Sequence, residues 1–405
     1  MYQYHTLNNG IKIVFRNNGS AVTHSGVYIN IGSRDERGEE EGMAHFIEHS
    51  IFKGTEHRRA YHILNRIDGV GGELNAFTTK EETCIYASSL SIHLERSLEL
   101  FADIIFHSTF PSSEIEREKD VVIEEINSYR DAPADLIYDD FEEYIFEGHP
   151  LAHNILGRKK NVKRFSTESI RGFMRRNYTT DRMVISVVGG VQFEKVVRWC
   201  EKYFGIYPSA ESAADRSETP ECRKFDITLN RHTHQMHVML GCKAPSIFDE
   251  QKVAFSLLNN ILGGPAMNSR LNVAIREKYG FCYTIESQYT PFSDTGLFYI
   301  YAGIDDDARE HFISLVYSQL NHLATTMLTP TQLHNAKQQY IGQMTINNEL
   351  ALNEMQSIGK SYLSFDRVDT VEEMQRDIEA VNSSDITDIA ATLLNPDNLS
   401  LLTYC

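Results

Sequence analysis

The chain has 405 residues, 41% of them hydrophobic and 23% charged, a globular composition with room for two or three domains at about 150 residues each. Its 39 Lys and Arg against 56 Asp and Glu leave a formal charge of −17. That balance argues against nucleic acid or an anionic membrane as the main partner, because both require a basic surface.

Met1 to Leu7 hold neither the basic segment nor the apolar core of a secretory signal. No apolar run approaches the ~20 residues that span a bilayer. The six cysteines form no Cys-x-x-Cys pair and are widely spaced, so free buried thiols in a cytoplasmic protein are expected. Asn9-Gly10 marks a turn, and Ile11, Val14, Phe15 and Val22 to Ile31 read as strands. Helical patterns follow from Glu40 to Phe52 and from Ala60 to Ile67, the second stopped by Gly69-Val70-Gly71-Gly72. Glu73 to Leu90 is strand-like, and Ser91 to Phe106 returns to helical periodicity. After Pro111, Ser113 and Glu116 form a capping-box pattern for a helix running from Glu114 to Ser128. Met183 to Val188 reads as a buried strand.

The segment 209–220 lacks large apolar residues and is the expected linker between an N-terminal domain, 1–208, and a C-terminal domain, 221–405. The two halves share a pattern. Val27 to Gly32 and His237 to Gly241 are strands ending in Gly, each followed by a helix, the second over Gln251 to Leu262. Late in each half a helix begins after a proline, Pro111 and Pro330, the second covering Gln332 to Asn347. An internally duplicated α+β unit is expected.

The chemical signal is His45-Phe46-Ile47-Glu48-His49. On a helix the two His lie one turn apart on one face, where they can share a tetrahedral zinc ion, and Glu48 projects nearby as a base for a metal-bound water. This is the reverse of the His-Glu-x-x-His order. Phe46, Ile47, Ile51 and Phe52 mark the helix as partly buried. A third ligand is needed, and the helix from Glu114 offers several carboxylates. Glu124 shares a face with Arg117, Asp120 and Ser128 and reads as solvated; Glu125 shares one with Glu118, Val121, Val122 and Tyr129 and reads as half-buried. Periodicity alone leaves Glu125 open between metal ligand and surface carboxylate. Glu118, one heptad earlier, can brace a ligand His.

Longer stretches carry a resemblance. Gly42-Met-Ala-His-Phe-Ile-Glu-His-Ser-Ile-Phe-Lys-Gly-Thr55, Gly71 to Tyr86, Glu116 to Ile126 and His149-Pro150 through Gly157, in that order, resemble the pitrilysin, insulin-degrading enzyme and mitochondrial processing peptidase family of inverted zinc metallopeptidases. The resemblance covers nearly the whole chain. It implies His45, His49 and Glu125 as ligands of one zinc ion per chain, Glu48 as general base and Glu118 as the supporting acid. It implies that Asn75, Ala76 and Phe77 lie on a sheet edge that binds peptide as an added strand. Gly263 to Leu271 and Arg276 to Tyr283 resemble a further family segment, in which Arg276 and Tyr283 reach substrate near the zinc. The implied fold is two homologous α/β-sandwich domains, each with a mainly antiparallel sheet packed by helices, together half of a clamshell. The implied function is a homodimeric endopeptidase acting on peptides or unfolded segments, with the Arg and Tyr of one subunit facing the zinc of the other. The alternative is a non-catalytic subunit of a processing-peptidase-like complex.

Other signals are read as structural. His232, His234 and His237 have no neighbouring carboxylate or Cys cluster, and Pro150 interrupts His149 and His153. Gly69 to Gly72 lacks the Lys-Ser or Lys-Thr of a phosphate loop, and Asn177-Tyr-Thr179 is a glycosylation acceptor only in a secreted protein.

Overall fold

The computed structural model describes residues 1–212, 216 and 222–405. Two sheets organise it. The first contains β1 (Gln3–Thr6), β2 (Lys12–Arg16), β3 (Val22–Ile29), β4 (Glu73–Thr78), β5 (Thr83–Leu90) and β6 (Met183–Val188), in the order β1-β2-β6-β3-β5-β4. The second contains β7 (Asp226–Leu229), β8 (Met236–Ala244), β9 (Cys282–Pro291), β10 (Gly296–Ile304) and β11 (Ser400–Tyr404), in the order β7-β11-β8-β10-β9. With β1 set aside, both sheets run first, fifth, second, fourth, third. Both are antiparallel except for one parallel pair at the same place, β2 with β6 and β7 with β11. This is the duplicated α+β architecture expected from the pattern of the halves, with the mainly antiparallel sheets that the family resemblance implies.

The strands form because apolar residues alternate between two covered faces. In the first sheet Ile13, Phe15, Val27, Ile29, Ile85 and Val187 point into the larger core. Val14, Tyr28, Cys84 and Val184 point to the other face, under Met355, Ile358 and Tyr362 of the helix Ala351–Phe365. Covered on both sides, β6 is buried along its whole length. The second sheet repeats the plan. Val238, Leu240, Phe298 and Ile300 face the main core. Met239, Tyr299, Tyr301 and Leu402 meet Leu136, Ile137, Phe141 and Ile145 of the helix Pro133–Ile145.

Those two covering helices cross the expected boundary. One compact unit comprises 1–127, 153–216 and 346–370; the other comprises 128–152, 217–345 and 371–405. Each half therefore gives a helix to the other half's sheet, so the units are not the contiguous blocks 1–208 and 221–405. Of the expected linker 209–220, residues 213–215 and 217–220 lie outside the described residues.

Two local expectations are corrected. Glu73 to Leu90 is a hairpin, β4 turning into β5, with the Thr79 N–H donating to the Glu82 carbonyl at 2.8 Å. The helix after Pro111 starts earlier, at Ser112, and the Pro111 carbonyl accepts from the N–H groups of Glu114 and Ile115. Ser113 therefore lies inside the helix, and Glu116 pairs with Lys119 instead of closing a capping box. Among the described residues no helix is long and apolar enough to cross a membrane.

Gly359 reports on the exchanged helix. A Cβ there would come within 2.5 Å of the Tyr28 ring and 3.0 Å of Ser186 Cβ. Gly359→Val is expected to cost about 1–3 kcal/mol through overpacking, read as a lower midpoint in urea unfolding. An unchanged midpoint would mean that this helix does not pack on the first sheet.

Candidate metal centre

The helix Met43–Ser50 presents His45, Glu48 and His49, and its other face is fixed in the core. Met43, Ala44, Phe46 and Ile47 are fully buried. Its start is held by a residue that lies outside the motif. The Glu36 carboxylate accepts the N–H groups of Gly42 and Ala44, both at 2.8 Å, satisfying two of the donors that a helix start leaves free. Gly42 has φ +94, and a Cβ there would meet the Leu156 carbonyl at 2.7 Å and Gly157 Cα at 2.8 Å, so only glycine fits this approach.

The second helix is Ser112–Arg130. Its buried stripe is Ile115, Glu118, Lys119, Val122 and Ile126. Val121 and Tyr129 were expected on the half-buried face with Glu125; they are exposed, because the stripe runs through Glu118 and Val122 instead. Glu124 is solvent-facing and Glu125 half-buried, as periodicity suggests.

Glu125 reaches the two imidazoles. Its Oε2 lies 3.7 Å from His45 Nε2 and 3.4 Å from His49 Nε2. One donor atom from each of these residues falls within 4.8 Å of the others, the one such group of three or more among the described residues. Bonds of about 2.0–2.1 Å at tetrahedral angles put donors about 3.3 Å apart, so the set fits a four-coordinate zinc ion with one position open. Glu118 completes the bracing. Its Oε1 is 3.0 Å from His49 Nδ1, which turns Nε2 toward the metal position, and its Oε2 pairs with Lys53 at 2.7 Å. With both oxygens engaged, Glu118 is a positioning residue.

The electrostatics agree. Burial lowers the His45 pKa to about 3, helped by His49, so its ring is neutral and free to ligate. The Glu118 hydrogen bond raises His49, against the pull of burial and with help from Glu125. Burial pushes Glu118 up, but His49 and Lys53 outweigh it and hold the carboxyl below its ordinary value. Burial raises Glu48; Thr78 and His49 partly offset it, while Glu125 adds to the rise.

Thr78 ends β4, which packs against the motif helix. Asn75, Ala76 and Phe77 lie on β4 opposite Tyr86, Ile85 and Cys84. The strand is last in its sheet, and among the described residues its outer edge pairs with no other strand. Arg276 and Tyr283 belong to the second unit. Arg276 sits in a π-helical turn, Asn272–Glu277, with Nη1 3.4 Å from Asn272 Oδ1; Tyr283 is 92% exposed at the start of β9. Nδ1 of His237 meets the Tyr301 hydroxyl at 2.9 Å, and Nδ1 of His149 accepts from the Leu151 N–H at 3.1 Å. Glu36 had no signal in the sequence, because it lies six residues before the first donor it serves, outside any local capping pattern.

Comparison with known proteins bears on the family and the fold. Residues 12–159 match the model for insulinase (peptidase family M16), and residues 164–340 match the peptidase M16 inactive domain. The whole metal group falls in the first match. An uncharacterized zinc protease of Bacillus subtilis is 35% identical over 98% of this chain and 97% of its own length. One from Mycobacterium leprae is 33% identical over 96% and 88%. Among solved structures, a protease from Helicobacter pylori superposes with a TM-score of 0.92 at 22% identity, covering 100% of this chain and 99% of its own. The peptidase M16 inactive domain from Pseudomonas fluorescens gives 0.90 at 21% identity, covering 100% and 98%. These two speak for the fold.

Removing the Glu36 side chain with Glu36→Ala is expected to strand two buried N–H groups at about 1–3 kcal/mol each. Glu36→Gln keeps an acceptor and should lose less. Burial also holds the Glu36 carboxyl well above its ordinary 4.5, against the Ala44 and Gly42 N–H groups. A raised folded pKa gives a contribution that is full below 4.5 and lost as pH rises through the folded value. Thermal unfolding against pH should show that loss in the native chain and not in Glu36→Gln; identical profiles would contradict it.

Proposed function

The chain belongs to the insulinase family of peptidases, family M16, and from that membership we propose that it is a zinc-dependent endopeptidase that works as a homodimer on peptides or unfolded segments. The observation that carries this reading is the meeting of His45, His49 and Glu125, with Glu48 on the same short helix as both His. The names of the zinc protease relatives support the choice of metal. Each chain would hold one zinc ion on these three residues. Bound there, zinc supplies Lewis-acid polarisation of the scissile carbonyl and a water of lowered pKa.

The rest falls to the chain's own groups. Glu48, its carboxyl raised by burial, is the general base: it takes a proton from the attacking water and returns it to the leaving amine. Glu118 orients His49 and does not touch substrate. A peptide adds to the open edge of β4 along Asn75, Ala76 and Phe77, held mainly by backbone hydrogen bonds, which tolerates many sequences. Arg276 and Tyr283 are assigned to the substrate backbone or the developing oxyanion, acting on the site of the other subunit. Dimerisation encloses the sites in a chamber that admits flexible chains and rejects folded ones. The rival reading, a non-catalytic subunit, is disfavoured because all three donors and the base are present in one chain.

Glu48→Gln should keep about one zinc per chain and lose about 10²–10⁴-fold in kcat on a fluorogenic peptide. Full chelator-sensitive cleavage by that variant would overturn the mechanism.

A further inference from the structure

The duplication allows the two units to be compared position by position. In the first, the metal donors lie on the helix after the duplicated sheet's second strand and on Ser112–Arg130. Their counterparts in the second are Lys252–Gly263 and Pro330–Asn348. Neither counterpart carries a carboxylate, and together they hold a single His, His334. Between them lies a cavity of about 250 Å³, lined by amide side chains from both helices and by Ser269 and Arg270. The position that holds cation ligands in one unit thus holds neutral amides and a cation in the other.

The cavity is built for negative charge. Arg270 is half-buried, bonds His322 Nδ1 at 3.1 Å, and has no carboxylate partner among the described residues. None of the residues that line the cavity is acidic. Burial without a counter-ion lowers the Arg270 pKa, which marks an uncompensated charge. Asn260 and Ser269 are 6% and 4% exposed, and both line the cavity. A guanidinium, a carboxamide and a hydroxyl facing one cavity suit an anionic oxygen ligand.

The lining also limits which anion fits. With no carboxylate nearby, an ammonium group beside the anion would go unpaired, so a free amino acid is a poor match. A peptide's last residue carries its carboxylate next to a neutral amide, which the lining carboxamides can bond. Ile261 and Leu328 offer apolar contact for a side chain. The volume is below the ~300–1,000 Å³ of a drug-sized pocket, enough for one or two residues. We propose that this cavity binds the C-terminal carboxylate of a peptide. Every lining residue belongs to the second unit, so the site does not depend on the zinc chemistry proposed above.

Calorimetry on the full, chelator-treated chain tests this, with N-acetyl-Ala-Ala as free acid, the same peptide as its C-terminal amide, and inorganic phosphate. The acid should bind at least about tenfold more tightly than either of the others. Asn335→Asp, at an exposed position, places a carboxylate at the cavity and should cost the acid at least about tenfold with an unchanged unfolding midpoint. Arg270→Gln should remove the preference for acid over amide. Equal affinity for acid and amide, no binding of the acid up to about 10 mM, or indifference to Asn335→Asp would overturn the proposal. Phosphate binding more tightly than the acid would overturn it in favour of an inorganic anion site.

Discussion

An eight-residue helix must hold two imidazoles within ligand distance of a carboxylate on another element. In water a helix shorter than about 12–15 residues is marginal, so its geometry comes from its surroundings. Met43, Phe46, Ile47 and Ile51 fix it to the core on one side. Glu36 ties down its first turn, and Gly42 lets the chain pass close against Leu156 and Gly157. The partner helix brings Glu125 to the imidazoles and Glu118 to the back of His49. Catalytic sites lose function over displacements of about 1 Å, so each of these anchors bears on the chemistry.

Much of the centre was legible because it is local. Two His and a Glu at helical spacing declare a shared face, and the amphipathic pattern of Ser112–Arg130 separates Glu125 from Glu124. Where that pattern misled, at Val121 and Tyr129, the cause is a buried stripe that runs through Glu118 and Val122 and leaves Glu125 at its border. What was not legible is non-local. Nothing near Glu36 says which helix it caps. The apolar face of Pro133–Ile145 says that the helix is buried but not against which sheet, so the exchange of covering helices could not be read from residue order. Strand identity was clearer, since residues such as Val27 and Tyr28 alternate into covered faces, and β6 falls on the expected residues Met183–Val188.

The two units share a sheet order and differ in chemistry. Each has the same five-strand topology with its parallel pair in the same place, and each is closed by a helix from the other half of the chain. Only the first has two imidazoles with carboxylates on the paired helices; the second has the single His334 and no carboxylate. The second has amides, a hydroxyl and a guanidinium at the corresponding place. The description of the second family match as an inactive domain is consistent with this substitution. The duplicated scaffold thus leaves a cleft between the same two helices and fills it with different polar groups.

The proposed activity depends on His45, His49 and Glu125 forming a zinc site with one open position. X-ray absorption at the zinc edge of the zinc-loaded full chain tests it most directly. Two imidazole nitrogens with oxygen ligands at about 2.0–2.1 Å, four-coordinate and without sulfur, are expected. A sulfur shell near about 2.3 Å, or fewer than two imidazoles, would contradict it.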